Sequence, residues 1–194
     1  MLNKINDIYN DTIQIQISAS QLLAHKIAQA TEQFVNCLLR GNKIIVCGQG
    51  RSYANAQFLV ANLLNRYEVT RPSFPAVLLS LDNAVGAALI SDEQYHCLYQ
   101  RQFNAIAQSG DILVVISPSG NENAILDVVH CAFNKELQVL ALTGENNDHI
   151  KGLLKEEDLE IRVPTNKESR VFEQHLFIIN AICELIDYSL FSAQ

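Results

Sequence analysis

Two short loops carry the residue types that could do chemistry. They are Gly48-Gln49-Gly50-Arg51-Ser52 and Ser117-Pro118-Ser119-Gly120-Asn121. In the first, glycines let the backbone approach an anion, and Ser52 offers a hydroxyl that can also cap a following helix. In the second, Ser117, Ser119 and Asn121 are all hydrogen-bond donors. Each loop follows an apolar run and precedes a helical pattern, so each sits at a helix N-terminus with free N–H groups and partial positive charge. One such loop is ordinary turn and cap chemistry. Two of them, on the first and third of five strands, suggest more, because open parallel sheets bind ligands beyond the carboxyl ends of their strands. The chemistry they suit is a cradle for a single phosphate, built from Gly50, Ser52, Ser117, Ser119 and Asn121. A dinucleotide site fits poorly, since Tyr53 stands where the third Gly of G-x-G-x-x-G belongs.

The elements that must position these loops follow from hydrophobic periodicity. KIIVC (43–47), AVLLS (76–80), DILVVIS (111–117), QVLALT (138–143) and LEIRV (159–163) are short apolar runs. They alternate with helical stretches, which predicts a parallel sheet covered on both faces. The first forty residues have helical spacing, as in Ile5, Ile8, Thr12 and Ile13, then Ile27, Thr31, Phe34 and Leu38. Two helices are expected here, with a break near Ala24 and Gly41 as the C-cap. They have no sheet face of their own to cover, so packing against another subunit would bury them. Residues 83–108 and 121–134 read as helical. The last helix is expected from 168 to 190, with Phe172, Leu176, Ile179, Cys183, Ile186 and Leu190 on one stripe.

Composition narrows the class. The 194 residues are 48% hydrophobic and 18% charged, as in an ordinary globular protein of one domain. No apolar run reaches the roughly 18 to 20 residues of a spanning helix, and the polar N-terminus does not read as a signal peptide. Five scattered cysteines without a C-x-x-C pair read as reduced thiols of a cytoplasmic protein. The net charge is -7 and no stretch clusters Lys and Arg, which argues against direct nucleic-acid binding. The acidic KEEDLE run (155–160) reads as a solvated loop edge.

With these elements placed, CGQGRS (47–52), NRYEVTRPSFPAV (65–77), GDILVVISPSGN (110–121), ALTG (141–144) and EIRVP (160–164) resemble the sugar isomerase (SIS) domain. Order and spacing are most similar to the phosphoheptose isomerase branch, over nearly the whole chain. The resemblance implies an α/β three-layer sandwich with a five-stranded parallel sheet flanked by helices. It implies a single domain over 1–194: a helical region (1–40), then an α/β core and C-terminal helix (43–191). It also implies a homotetramer that uses the N-terminal helices, with sites between subunits. Asp82 and Asn83 match positions lining the sugar pocket; as residues alone they equally suit a helix N-cap.

In the isomerases, the helix after the first loop supplies His and Glu four residues apart. The last helix supplies Gln and a second His eight apart. Together they hold a metal and move a proton between sugar carbons. The matching residues here are Phe58, Asn62, Phe172 and Asn180. Phe cannot ligate a metal, and a neutral amide is a poor ligand and no general base. The expectation is therefore no isomerase chemistry by that route, no metal and no cofactor. His175 and Glu173 lie on the last helix, and His175 reads as a hydrogen-bonded structural residue. His96, His130 and His149 have no second ligand at metal spacing. The isomerases' second loop resembles Ser-Thr-Ser-Gly-Asn-Ser, whereas here Pro118 and Glu122 replace two hydroxyl residues. Glu122 in the first helical turn would repel a phosphate, and Arg51 would either offset that or pair with Glu122.

A non-catalytic branch of the family resembles the chain still more, through DTIQIQI (11–17), LLRGNKI (38–44), NRYEVTRPSFPAV (65–77) and LIDYSLF (185–191). Its members also carry Asn at the position of Asn180. They are homotetramers that bind the replication initiator DnaA and promote its assembly at the origin. That resemblance implies a cytoplasmic scaffold with DnaA as partner and no direct contact with nucleic acid or membrane. Leu190 and Phe191 are candidate partner anchors if exposed, though Leu190 also continues the buried stripe. A sedoheptulose 7-phosphate isomerase and a sugar-phosphate sensor are the alternatives.

Overall fold

The computed structural model describes residues 1–80, 84–145 and 149–191. The apolar runs form the expected strands: β1 (Ile44–Gly48), β2 (Ala76–Leu78), β3 (Ile112–Ile116), β4 (Gln138–Thr143) and β5 (Leu159–Arg162). All pair in parallel, in the order β2-β1-β3-β4-β5. Burial on both faces explains why the runs are continuously apolar rather than alternating. The period of two still sorts them. Ile44, Val46, Val114 and Leu142 face one cluster, and Ile45, Cys47, Val115 and Ala141 face the other.

The first cluster lies under α1 (Leu2–Leu39), α2 (Ser52–Leu64) and α7 (Glu168–Phe191), which contribute Phe34, Leu59 and Ile179. The second lies under α3 (Ala84–Ser91), α4 (Leu98–Ile106), α5 (Asn123–Asn134) and α6 (His149–Leu153), through Leu89, Phe103, Val128 and Ile150. Strand order reverses between β1 and β3, the switch point where such sheets open a crevice. Gly48 pairs with Ile116, so the two candidate loops leave the sheet side by side.

The N-terminal region departs from expectation. It is one 38-residue helix, with no break near Ala24. No Pro or Gly interrupts residues 2–39, and Ala is the strongest helix former. Nor does the whole region lack a face to cover: its C-terminal half buries Ala30, Phe34, Cys37 and Leu38 in the first cluster. Ile5, Ile8, Ile13 and Ile17, in the N-terminal half, are exposed on the single chain. Gly41 ends the helix at φ +79°; its N–H donates to Leu38 O and that of Asn42 to Cys37 O, a Schellman closure.

The described part of the 83–108 stretch is α3, a 3₁₀ turn (Tyr95–Cys97) and α4, broken where Glu93 takes φ +56°. On α7 the buried face is Val171, His175, Ile178, Ile182 and Cys183, among others, with Phe172, Leu176 and Leu190 only partly covered. No helix among the described residues is long and apolar enough to cross a membrane.

Candidate functional site: a cradle at the switch point

The first loop turns tightly from β1 into α2. Gly50 holds φ +60°. A Cβ on Gly48 would stand 2.6 Å from Ser52 O and 3.3 Å from Ile116 O, so only glycine lets the turn fold over the strand end. Tyr99, fully buried on α4, donates to Gly48 O at 2.7 Å, and burial raises its pKa. Gly48→Ala is therefore expected to destabilise the protein by about 1–3 kcal/mol, because backbone, not a flexible side chain, must yield. Urea unfolding checks this; an unchanged midpoint would contradict it.

Ser52 does not cap α2. The helix begins at Ser52 itself, the N-cap is Arg51 in helical conformation, and no side-chain cap bond forms. The Ser52 Oγ is fully buried and, among the described residues, has no hydrogen-bond partner. A buried hydroxyl left unpaired is costly, so this one calls for a water, an ion or a ligand group. Arg51 does not pair with Glu122. It ion-pairs with Glu168 on α7 at 3.0 Å and lies 4.9 Å over the Phe172 ring.

The second loop is closed by its own glutamate. Ser117 Oγ donates to Glu122 Oε2 at 2.6 Å, and Ser119 Oγ donates to Glu122 Oε1 at 3.2 Å. The Gly120 N–H donates to Ser117 Oγ at 2.8 Å, and Gly120 takes φ +62°. Glu122 stands at the N-cap position of α5, one residue before the first turn, with extended backbone. Its side chain makes no cap bond and turns back into the loop instead. Ser117 is buried, Ser119 half-buried and Asn121 exposed. Asp82 and Asn83 lie outside the described residues.

Of the four positions that the resemblance sets against the isomerase machinery, Asn62 and Asn180 meet. Asn62 Nδ2 donates to Asn180 Oδ1 at 3.4 Å across the α2–α7 contact. Phe58 is 52% exposed, and Phe172 sits under Arg51 with its carbonyl accepting from Asn55 Nδ2 at 3.1 Å. Among the described residues, no group of three or more His, Cys, Asp or Glu converges as a metal site would require. His175 is wholly buried on α7, with Nε2 at 3.1 Å from Thr143 O, and burial lowers its pKa to about 4. A carbonyl only accepts, so Nε2 carries the proton. His96 pairs with Asp127 at the surface, at 3.1 Å. His130 packs edge-on against Phe133.

Sequence reasoning missed a second cluster beside the site. Arg71 Nε donates to Asp187 Oδ1 at 2.6 Å, with both side chains almost fully buried. The Arg71 guanidinium also donates to Asn62 O and Leu63 O in the last turn of α2, and lies 4.1 Å over the Phe74 ring. Phe74 in turn stacks on Phe191, ring centroids 6.2 Å apart. Phe191 is 37% exposed, whereas Leu190 packs partly against the core. An isolated Arg in a loop gives no hint of a partner 116 residues away.

Residues 9–144 match the family model described as the SIS domain. The chain belongs to the SIS-domain family, in its phosphoheptose isomerase-like group. It is 43% identical to the phosphoheptose isomerase of Shewanella pealeana, over 98% of this chain and 97% of that one. It is 56% identical to an uncharacterized protein of Haemophilus influenzae, over 98% of each. The solved structure of a phosphoheptose isomerase from Francisella tularensis superposes with a TM-score of 0.90 at 35% identity, covering 96% of this chain and 97% of that one.

Proposed function

We propose that this chain is a non-catalytic SIS-domain protein, a cytoplasmic scaffold that binds the replication initiator DnaA and promotes its assembly at the chromosomal origin. The observation that carries the non-catalytic half is the pairing of two neutral amides, Asn62 and Asn180, 3.4 Å apart. Aldose–ketose isomerisation needs groups that ionise or hold a metal at these positions, and an amide pair does neither. The phenylalanines at 58 and 172 complete the replacement.

The scaffold half rests on the resemblance at 11–17, 38–44, 65–77 and 185–191 and on the surfaces the fold leaves open. The exposed isoleucines of the N-terminal half of α1 supply a face for subunit assembly as a homotetramer. Phe191, held on Phe74 at the chain's end, supplies a rigid aromatic anchor for a partner. Repeated anchors on an assembly add by effective concentration, so a weak single contact suffices. An acidic surface acts on DNA through a DNA-binding partner rather than directly. Purified protein should capture DnaA and stimulate its loading on origin DNA, with Phe191→Ala reducing capture. Undetectable binding at micromolar protein would refute the reading.

A second reading, a sugar-phosphate isomerase or sensor, is favoured by the name its relatives carry and by the unpartnered Ser52 hydroxyl. A rise in melting temperature on adding a phosphosugar, abolished by Ser52→Ala with Ser119→Ala, would support the sensor.

A further inference from the structure

We propose that Glu122 is a tethered anion that fills the cradle of the second loop and sets this pocket against phosphomonoesters. The inference rests on the non-catalytic reading above and names the residue that fixes the pocket's selectivity. Ser117 and Ser119 present their hydroxyls at the carboxyl end of β3, beside a helix N-terminus, where an external anion would otherwise be held. Both hydroxyls donate to the two oxygens of one carboxylate, at 2.6 and 3.2 Å. A single chain thus supplies both halves of an anion site, donors and acceptor, five residues apart.

The geometry separates this from ordinary helix capping. Glu122 has the N-cap place, yet its carboxylate bonds none of the first free N–H groups of α5. A long acidic side chain is also not among the residues favoured there. Its direction is set by the serines. A phosphomonoester would have to displace this carboxylate and then sit beside it, losing two charge-assisted hydrogen bonds and gaining like-charge repulsion. Arg51, the cation of the first loop, is turned to Glu168 and the Phe172 ring instead. The neighbouring loop holds a further donor: the Ser52 hydroxyl is fully buried and without a partner among the described residues. Removing Glu122 alone would leave Ser117 and Ser119 free at the switch point, with Ser52 on the adjacent loop.

The test is calorimetric titration of inorganic phosphate and of sedoheptulose 7-phosphate into the full chain. Wild type, Glu122→Ser and the double variant Glu122→Ser with Ser117→Ala are compared at one ionic strength. Wild type is expected to give no binding at millimolar ligand. Glu122→Ser should bind the phosphosugar at least about tenfold more tightly than wild type, and the double variant should lose that gain. A gain with inorganic phosphate as well places the contact at the phosphate group; a gain with the sugar alone would overturn the proposal. Serine is a better N-cap than glutamate, so α5 should be retained, and the melting temperature verifies this. If Glu122→Ser fails to fold, Glu122→Ala gives the same reading. Phosphosugar binding by wild type as tight as by Glu122→Ser, or no binding by a well-folded Glu122→Ser, would each overturn it. Turnover of the sugar by wild type would sink both this proposal and the non-catalytic reading. Silence from every variant would sink this proposal alone.

Discussion

Arg71→Ala is expected to lower the melting temperature by roughly 10 °C, the largest effect of any single substitution outside the hydrophobic core. The guanidinium does several jobs at once. It neutralises Asp187, which is buried on α7 with one carboxylate oxygen lacking a partner among the described residues. It donates to Asn62 O and Leu63 O in the last turn of α2, which have no intrahelical donors. It also stacks on Phe74. Removing it leaves a buried, uncompensated carboxylate, which costs about 3–5 kcal/mol. Asp187→Ala strands the cation instead and should be nearly as damaging. The double variant Arg71→Met with Asp187→Leu should cost less than the sum of the singles, because it removes both charges together. Additive losses in a double-mutant cycle would contradict this. Because Phe74 links Arg71 to Phe191, the proposed scaffold role further predicts that Arg71→Ala weakens capture of DnaA at temperatures where the protein stays folded.

The second large effect is a loss of stability in acid that traces to His175. In the native state burial holds its pKa at about 4, against an ordinary value of 6.5, so it remains neutral where an unfolded chain would protonate it. The unfolded state therefore binds more protons below pH 6.5. Stability falls as the pH drops through that value and levels off near 4, a loss of roughly 3 kcal/mol from this residue. His175→Gln keeps a donor for Thr143 O and removes the titration. The difference between wild type and variant in unfolding free energy should thus shrink or change sign between pH 7 and 4.5. An imidazole resonance of His175 that titrates with a midpoint near 6.5 would contradict this assignment.

Much of the fold was legible because its signals are local. The five strands show as continuous apolar runs, and only their ends moved: β2 closes at Leu78 rather than Ser80, and β3 runs Ile112–Ile116 rather than 111–117. The two loops were legible for the same reason, as small polar residues between a strand and a helix. What failed depended on tertiary context or on unusual backbone. The helix break near Ala24 had no breaker residue behind it, and the chain simply continued as a helix. The unexpected interruption between α3 and α4, at Glu93, uses a positive φ on a residue that rarely adopts one. Glu122 was recognisable as an intruding acid, but spacing alone could not show that its carboxylate turns back onto Ser117 and Ser119. Arg51 was expected to offset Glu122 or pair with it, yet its partners are on α7, more than a hundred residues away. Arg71 and Asp187 were invisible for the same reason.

On the proposed reading, neutral side chains at 58, 62, 172 and 180 leave this SIS fold without isomerase chemistry. The most direct measurement is an isomerase assay on homogeneous protein with sedoheptulose 7-phosphate, run with and without added divalent metal. No product above the uncatalysed background is expected under either condition, with the phosphoheptose isomerase of Shewanella pealeana as the active control. Metal-dependent turnover approaching that control would contradict the central claim, and loss of that turnover on altering Asn62 or Asn180 would show that the amides take part in chemistry after all.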